Sequence, residues 1–372
     1  MTARTAVTPS GSVLGVRIKR GRNRLQQRFS PGTISILYDN TANDFPPFSP
    51  SIKAGSDIEI EFDDGVATPV RIFTGAVWDV TNSYPLGGRP TTLITGRDTL
   101  DLLSRGWASS EDEDNRPQES TGARLSAIVT AMASYGVSVS TNFDTGNGTM
   151  IAQLLVPSIY RINEALGVEV MGKLYADRSG VIQFRQRNAA GAPTIAATFS
   201  DDGVYLPFHD IGVSNGSDQI INTANDEYSQ IGERDTTSIG LYGTNQFAIQ
   251  GYNFFPGDTA QKNATNRELA EWLVGTFKTP SPRISSIAVD LHLLSNADAA
   301  TVAALDINDQ IRIIWTPPGT SQVDKSGVIE SIEHTISIDQ HRMVIGLTEP
   351  TGGNFTLDDA VYGVLDQNTL GI

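Results

Sequence analysis

The sequence predicts an α+β protein, predominantly β, built around one small β unit that occurs twice. Within residues 56–81, Ile58, Ile60 and Phe62 alternate with Asp57, Glu59, Glu61 and Asp63, the period-two pattern of a strand dry on one face and wet on the other. Residues 70–80 continue as a second apolar strand, with Gly75 where a strand glycine marks a bulge or bend. Residues 309–337 repeat the unit: Ile311 and Ile313 alternate with Gln310 and Arg312, a turn-rich loop follows, and Gly327-Val-Ile-Glu-Ser-Ile echoes Gly75-Ala-Val-Trp-Asp-Val.

Taken in order, residues 13–38 read as two strands, the first strongly basic: Arg17, Lys19, Arg20, Arg22, Arg24 and Arg28 occur without an intervening acid. Residues 39–50 form an Asx- and Pro-rich loop. The first β unit, a strand at 91–95 and a short helix at 98–104 complete a first β domain, 1–106. An acidic stretch at 109–119 is the linker candidate. Residues 107–192 then form an α/β domain. Ser120 or Thr121 caps a helix whose Leu125, Ile128, Val129 and Met132 share one face and which ends at Gly136. A second helix follows Pro157 and Ser158 with Ile159, Ile162 and Leu166 inward, and 174–185 is a hairpin. Residues 193–282 are β-rich and end in a helix at 258–277, where Leu269, Trp272, Leu273 and Phe277 line one face and Pro280 and Pro282 stop it. The second β domain, 283–350, closes with a hairpin about Asp339-Gln340. Residues 351–372 are an appended arm.

Composition bounds function. At 372 residues the chain has material for several domains. With 42 acidic against 27 basic residues the net charge is −15. That balance opposes wrapping nucleic acid or anionic membrane, yet suits a duct through which DNA slides without sticking. The absence of cysteine excludes disulfides, thiolate metal sites and cysteine nucleophiles. The N-terminus has no apolar leader core and no later run reaches the length of a membrane span, so a chain without Sec export or a membrane segment is expected.

The search for catalytic or metal-binding motifs finds none that holds. Gly212-Val-Ser-Asn-Gly216 has the form of a nucleophile elbow around Ser214, but a turn and strand follow where the elbow needs a helix, so an ordinary Gly/Ser turn is expected. Gly167 to Lys173 approaches a phosphate-binding loop, yet Leu174 replaces the hydroxyl residue that holds Mg²⁺. Asp39 to Asp44 lacks calcium-loop spacing and reads as an Asx turn. A two-residue turn at Asp339-Gln340 would pair 334 with 345, leaving His334 and His341 apart, as structural rather than metal-ligating histidines. No cofactor, metal site or catalytic residue is expected. Arg17 to Arg28 is assigned to a protein interface, its guanidinium forks meeting carboxylates of a neighbouring chain. Asp57, Glu59 and Glu61 are assigned to a lumen or ring-facing surface.

Several stretches taken in order resemble minor tail proteins of long-tailed, siphovirus-like bacteriophages, in the tail-tip or baseplate hub family. They are Gly21-Arg-Asn-Arg-Leu-Gln-Gln-Arg-Phe29, Pro31 to Asn40, Phe73-Thr-Gly-Ala-Val77, Thr95 to Leu103, the Leu174 to Phe184 hairpin, Thr237 to Gly243, and Gly363-Val-Leu with Leu370-Gly near the end. The resemblance implies two tube-like β-barrel or sandwich domains in one chain, interrupted by the α/β and β-rich insertions. It implies a homotrimer whose six β units match a hexameric distal tail ring, with the tape measure protein and tip or receptor-binding proteins as neighbours and phage DNA as a passing, unspecific guest. It places the protein in the virion at the tail tip, assembled in the host cytoplasm. A tail-associated peptidoglycan-degrading enzyme and a carbohydrate-binding adhesin are the alternatives.

Overall fold

A computed structural model describes residues 13–24, 26–48, 52–63, 68–105, 114–187, 194–216, 219–226, 231–280 and 282–349. The arm at 351–372 and the centre of the acidic linker lie outside the described residues.

The first β unit has five strands: β1 (Val13–Gly21), β2 (Ser30–Asp39), β3 (Asp57–Phe62), β4 (Val70–Ser83) and β5 (Thr91–Asp98), followed by helix α1 (Leu100–Arg105). Its strands lie in the spatial order β1-β2-β5-β4-β3. The alternation in β3 does what its pattern requires. Ile58 is buried while Asp57 and Glu61 are exposed. Gly75 permits a close approach, since a Cβ there would lie 2.1 Å from the Arg97 carbonyl oxygen of β5. The bulge itself falls a few residues later, between Val77 and Asp79.

The insertion begins with β6 (Asp114–Arg116), β7 (Glu119–Ser120), α2 (Thr121–Met132), β8 (Thr141–Phe143), β9 (Thr149–Met150), β10 (Gln153–Leu155), α3 (Ile159–Glu169), β11 (Lys173–Ala176) and β12 (Ile182–Arg185). The Ser120 side chain accepts from the Ala123 N–H to start α2, and a left-handed Gly136 (φ 81°) ends the tight turn that extends it. Then come β13 (Ile195–Ser200), β14 (Asp210–Ser214), β15 (Thr223–Asp226), β16 (Gly232–Arg234), α4 (Thr236–Tyr242), β17 (Gln246–Ile249) and α5 (Thr259–Phe277). Asp258 and Gln261 form a reciprocal capping box on α5. The faces predicted for α2, α3 and α5 converge: Leu125, Ile128, Met132, Ile162, Leu269 and Leu273 share one core with Phe184 of β12. Thus the α/β and β-rich insertions pack as one body, while β13 and β14 leave it for the large sheet.

The chain returns through β18 (Arg283–Asp290), α6 (Asn296–Ala303), β19 (Gln310–Trp315), β20 (Val323–Ser337) and β21 (His341–Thr348). These strands, with β14, repeat the first topology: β14-β18-β21-β20-β19 matches β1-β2-β5-β4-β3 position by position. Ile58 stands opposite Gly75 and Ile311 opposite Gly327. The bulge at Trp78 recurs at Glu330, between Ile329 and Ser331. The echo seen in the sequence is therefore a duplicated five-strand unit.

The two repeats are not independent barrels, and no closed barrel is present among the described residues. The second edge of β1 pairs with β20, from Gly15 opposite Ser337 to Gly21 opposite Ser331. This edge therefore joins the other repeat instead of closing on its own, and both repeats lie in one 11-stranded sheet. One apolar cluster runs through both, with Ile34, Phe73 and Ile94 from the first and Ile287, Ile311 and Ile345 from the second.

Candidate functional site: the joint between the repeats

The basic run folds into the joint. Gly21 sits at φ 102°, and a Cβ there would lie 2.1 Å from the Glu330 carbonyl oxygen, so only glycine lets β1 lie this close to the bulge of β20. The arginines on either side of it turn inward. Arg20, 2% exposed, donates through Nη1 to Asp306 Oδ1 at 2.8 Å. Arg22, 5% exposed, donates through Nε to Glu330 Oε2 at 2.7 Å and lies 4.7 Å over the Phe29 ring. Lys173 of β11 places Nζ 2.8 Å from Glu330 Oε1. Burial acts to raise the Glu330 carboxyl, but the two cations outweigh it and hold its pKa below the ordinary value. These arginine forks do meet carboxylates, as the sequence suggests, but those of their own chain.

The insertion locks the joint through one turn. Asp306 Oδ2 accepts the Arg178 backbone N–H at 2.8 Å, and the Arg178 guanidinium donates to the Ala304 carbonyl. On the other side Thr74 donates to the Arg178 carbonyl at 3.0 Å and Thr99 to the Gly180 carbonyl at 2.7 Å. The β11–β12 turn thus bonds to both repeats at once. Asp98, 4% exposed, accepts from the Gly32 N–H at 2.7 Å. Burial pushes its carboxyl up to about 7 despite that bond and the nearby Arg20.

The remaining basic residues lie on the surface. Arg17 bonds Glu333 across the joint at 2.8 Å, Lys19 and Arg24 are exposed, and Arg28 reaches Gln250 at 2.9 Å beside a cleft of about 320 Å³. Of the acidic trio, Asp57 and Glu61 are exposed, and Glu59 and Glu61 flank Arg71 of β4 at 3.0 and 3.2 Å.

The histidines depart from expectation. The Ser337 backbone N–H donates to the Gln340 carbonyl, so the two residues at the tip are Ile338 and Asp339, one position earlier than expected, and Ile336, not 338, stands opposite His341. This register puts His334 diagonally across from His341 on one face, with Nδ1 3.0 Å from Nε2. The His341 backbone N–H donates to His292 Nδ1 at 3.4 Å. Burial lowers His334 well below the ordinary range and His341 to about 4, so both are neutral interior groups. No group of three or more His, Asp or Glu among the described residues is arranged to hold a metal ion. Ser214 lies on the edge strand β14, Lys173 is spent on Glu330, and Asp39 accepts from the Thr41 N–H at 3.0 Å as an Asx turn does. Sequence reasoning missed Glu330, Lys173 and Asp306. No spacing rule marks Glu330 or Asp306: Glu330 sits at a bulge, where strand alternation fails, and Asp306 lies in the loop before β19.

No family model and no curated protein matches the sequence. Solved structures do match. The 43 kDa tail protein of prophage MuSo2 from Shewanella oneidensis aligns over 91% of this chain and 93% of its own, at TM-score 0.61 and 14% identity. A tail protein from Neisseria meningitidis aligns over 90% and 96%, at TM-score 0.54 and 13% identity. The E. coli c3393 protein, a type VI secretion component described as similar in structure to the phage T4 tail proteins gp27 and gp5, aligns over 92% and 75%, at TM-score 0.51 and 10% identity. The fold is that of phage tail proteins. No helix among the described residues is long and apolar enough to cross a membrane.

Proposed function

We propose that this chain is a structural, non-enzymatic virion protein: a trimeric tail-tip or baseplate hub that joins the hexameric tail tube or distal tail ring to the tip and lines or closes the DNA path. The duplicated five-strand unit carries the reading. A ring needs repeated, matching surfaces, and a chain holding two of them supplies six units from three molecules. Such an assembly meets a six-fold ring on one side and three-fold tip proteins on the other. The likeness to tail proteins and to a protein described as similar to gp27 and gp5 supports the assignment. The distal tail ring, the tape measure protein and other minor tail or receptor-binding proteins are its proposed neighbours, and the net charge of −15 lets DNA pass without adhering. Light scattering or native mass spectrometry tests the proposal: a trimer is expected, and a strict monomer at every concentration up to the solubility limit overturns it.

A further inference from the structure

The sheet contains one joint between repeats and the parts of a second. In the existing joint, β20 pairs with β19 only over residues 323–328, which leaves 331–337 to receive β1 on that same edge. β4 is built alike. β3 covers residues 70–76 and β5 runs along the opposite edge over 75–83, so the β3-side edge of residues 79–83 has no strand partner among the described residues. Among the described residues β14, the counterpart of β1, pairs with β18 alone. The chain has used β1 and β20 and kept their equivalents, β14 and β4, in reserve.

We infer that residues 79–83 of β4 pair antiparallel with β14 of a neighbouring molecule of this chain, extending the sheet from one subunit into the next. The existing joint sets the register, with Lys19 opposite Glu333 and Arg17 opposite Thr335. Alignment through Gly75/Gly327 and the shared bulge maps Glu333 onto Thr81 and Thr335 onto Ser83. On the other strand, Arg17 stands opposite Ser35 and Gly212 opposite Ser286, while Lys19 stands opposite Thr33 and Val213 opposite Ile284. Thr81 therefore faces Val213. Because β18 carries an extra residue, Ser285, opposite the step from Gly212 to Val213, β14 is one residue shorter than β1 there, and a regular ladder beyond this pair sets Gly212 opposite Asn82. The five-residue run first noticed as a nucleophile elbow, Gly212 to Gly216, is the end of this edge.

Two further observations agree. Soluble proteins blunt exposed edges with Lys, Pro or clustered charge. Residues 78–84 hold one charge, Asp79, and β14 one, Asp210, with no Lys or Pro in either. Large apolar side chains also stand exposed beside both edges: Trp78 (47%) and Tyr84 (48%) along β4, and Val213 (48%) on β14. The contact is heterologous, so it propagates from chain to chain until the ring closes. This inference rests on the ring-building reading above and names the edges that close it.

The natural chain has no cysteine, which gives a clean background for disulfide trapping. Directly opposed residues of antiparallel strands place their Cα atoms about 4.5–5.5 Å apart, within reach of a disulfide. The variant carrying Thr81→Cys and Val213→Cys, oxidised at a concentration where the protein is assembled, is expected to give covalent oligomers up to a closed trimer on non-reducing denaturing gels. Each single variant should run as a monomer. Asn82→Cys with Val213→Cys, whose side chains point to opposite faces, should cross-link far less. Val213→Lys, at an exposed position, should raise the concentration needed for assembly by about tenfold or more while leaving the circular dichroism unchanged. A wild-type trimer whose Thr81→Cys/Val213→Cys variant forms no intermolecular disulfide overturns this inference and leaves the hub reading standing. A wild-type protein that never assembles overturns both.

Discussion

Replacing Glu330 with Gln tests whether the joint depends on its buried charge. Glu330 is shared between Arg22 and Lys173, at 2.7 and 2.8 Å, with side-chain exposures of 7%, 3% and 15% respectively. Gln keeps the volume and one acceptor but leaves two cations facing each other out of water. Removing one partner of a buried ion pair costs about 3–5 kcal/mol, so a loss of about 4 kcal/mol is expected for Glu330→Gln. Lys173→Met keeps the Arg22 pair and removes one charge-assisted contact, which costs about 1.5–3 kcal/mol. Trp272 lines the same cavity as all three side chains and reports the transition by fluorescence. Urea denaturation at one protein concentration and pH 7 gives both values. A loss below about 1 kcal/mol for Glu330→Gln, or a Lys173→Met variant that suffers as much, refutes the claim that Glu330 is the central charge.

Two pH predictions follow with opposite signs. His341 has a folded pKa of about 4 against 6.5, so the unfolded chain binds the extra proton and stability falls as pH drops from 6.5 to 4, by roughly 3 kcal/mol; the variant with His334→Leu and His341→Phe should lose that fall in urea titrations. Asp98 has a folded pKa of about 7 against 3.8, so its contribution is complete below 3.8 and is lost as pH rises through 7, by roughly 4 kcal/mol. Asp98→Asn should therefore remove the loss on alkalinisation and unmask the histidine loss on acidification. A wild type whose stability changes more steeply between pH 4 and 7 than either variant contradicts the opposition.

Local patterns were legible wherever a residue's neighbours along the chain decide its state. The period-two run in β3, the Ser120 and Asp258 caps and the apolar faces of α2, α3 and α5 all follow from short-range spacing, and the structure keeps them. The bulge was anticipated from Gly75 but falls at Trp78, because the glycine serves a close backbone approach and not an extra residue. The histidines were misjudged because the position of the turn sets hairpin register, and moving it by one residue shifts every cross-strand partner by two. Residues 17–28 were recognised as unusual by charge, yet their partners Asp306 and Glu330 lie about 300 positions away in sequence, beyond any spacing rule.

The sequence by itself determined the repeat, because a duplicated strand pair keeps its alternation, its glycine and its bulge wherever it folds. Only the tertiary structure decided that the repeats join edge to edge in one sheet. Alternation specifies which face of a strand is dry, but the backbone groups along its edges are the same for every sequence, so which edge pairs with which is set by the rest of the fold. The same physics leaves β4 and β14 with edges that no strand among the described residues occupies, the edges proposed above to join neighbouring molecules.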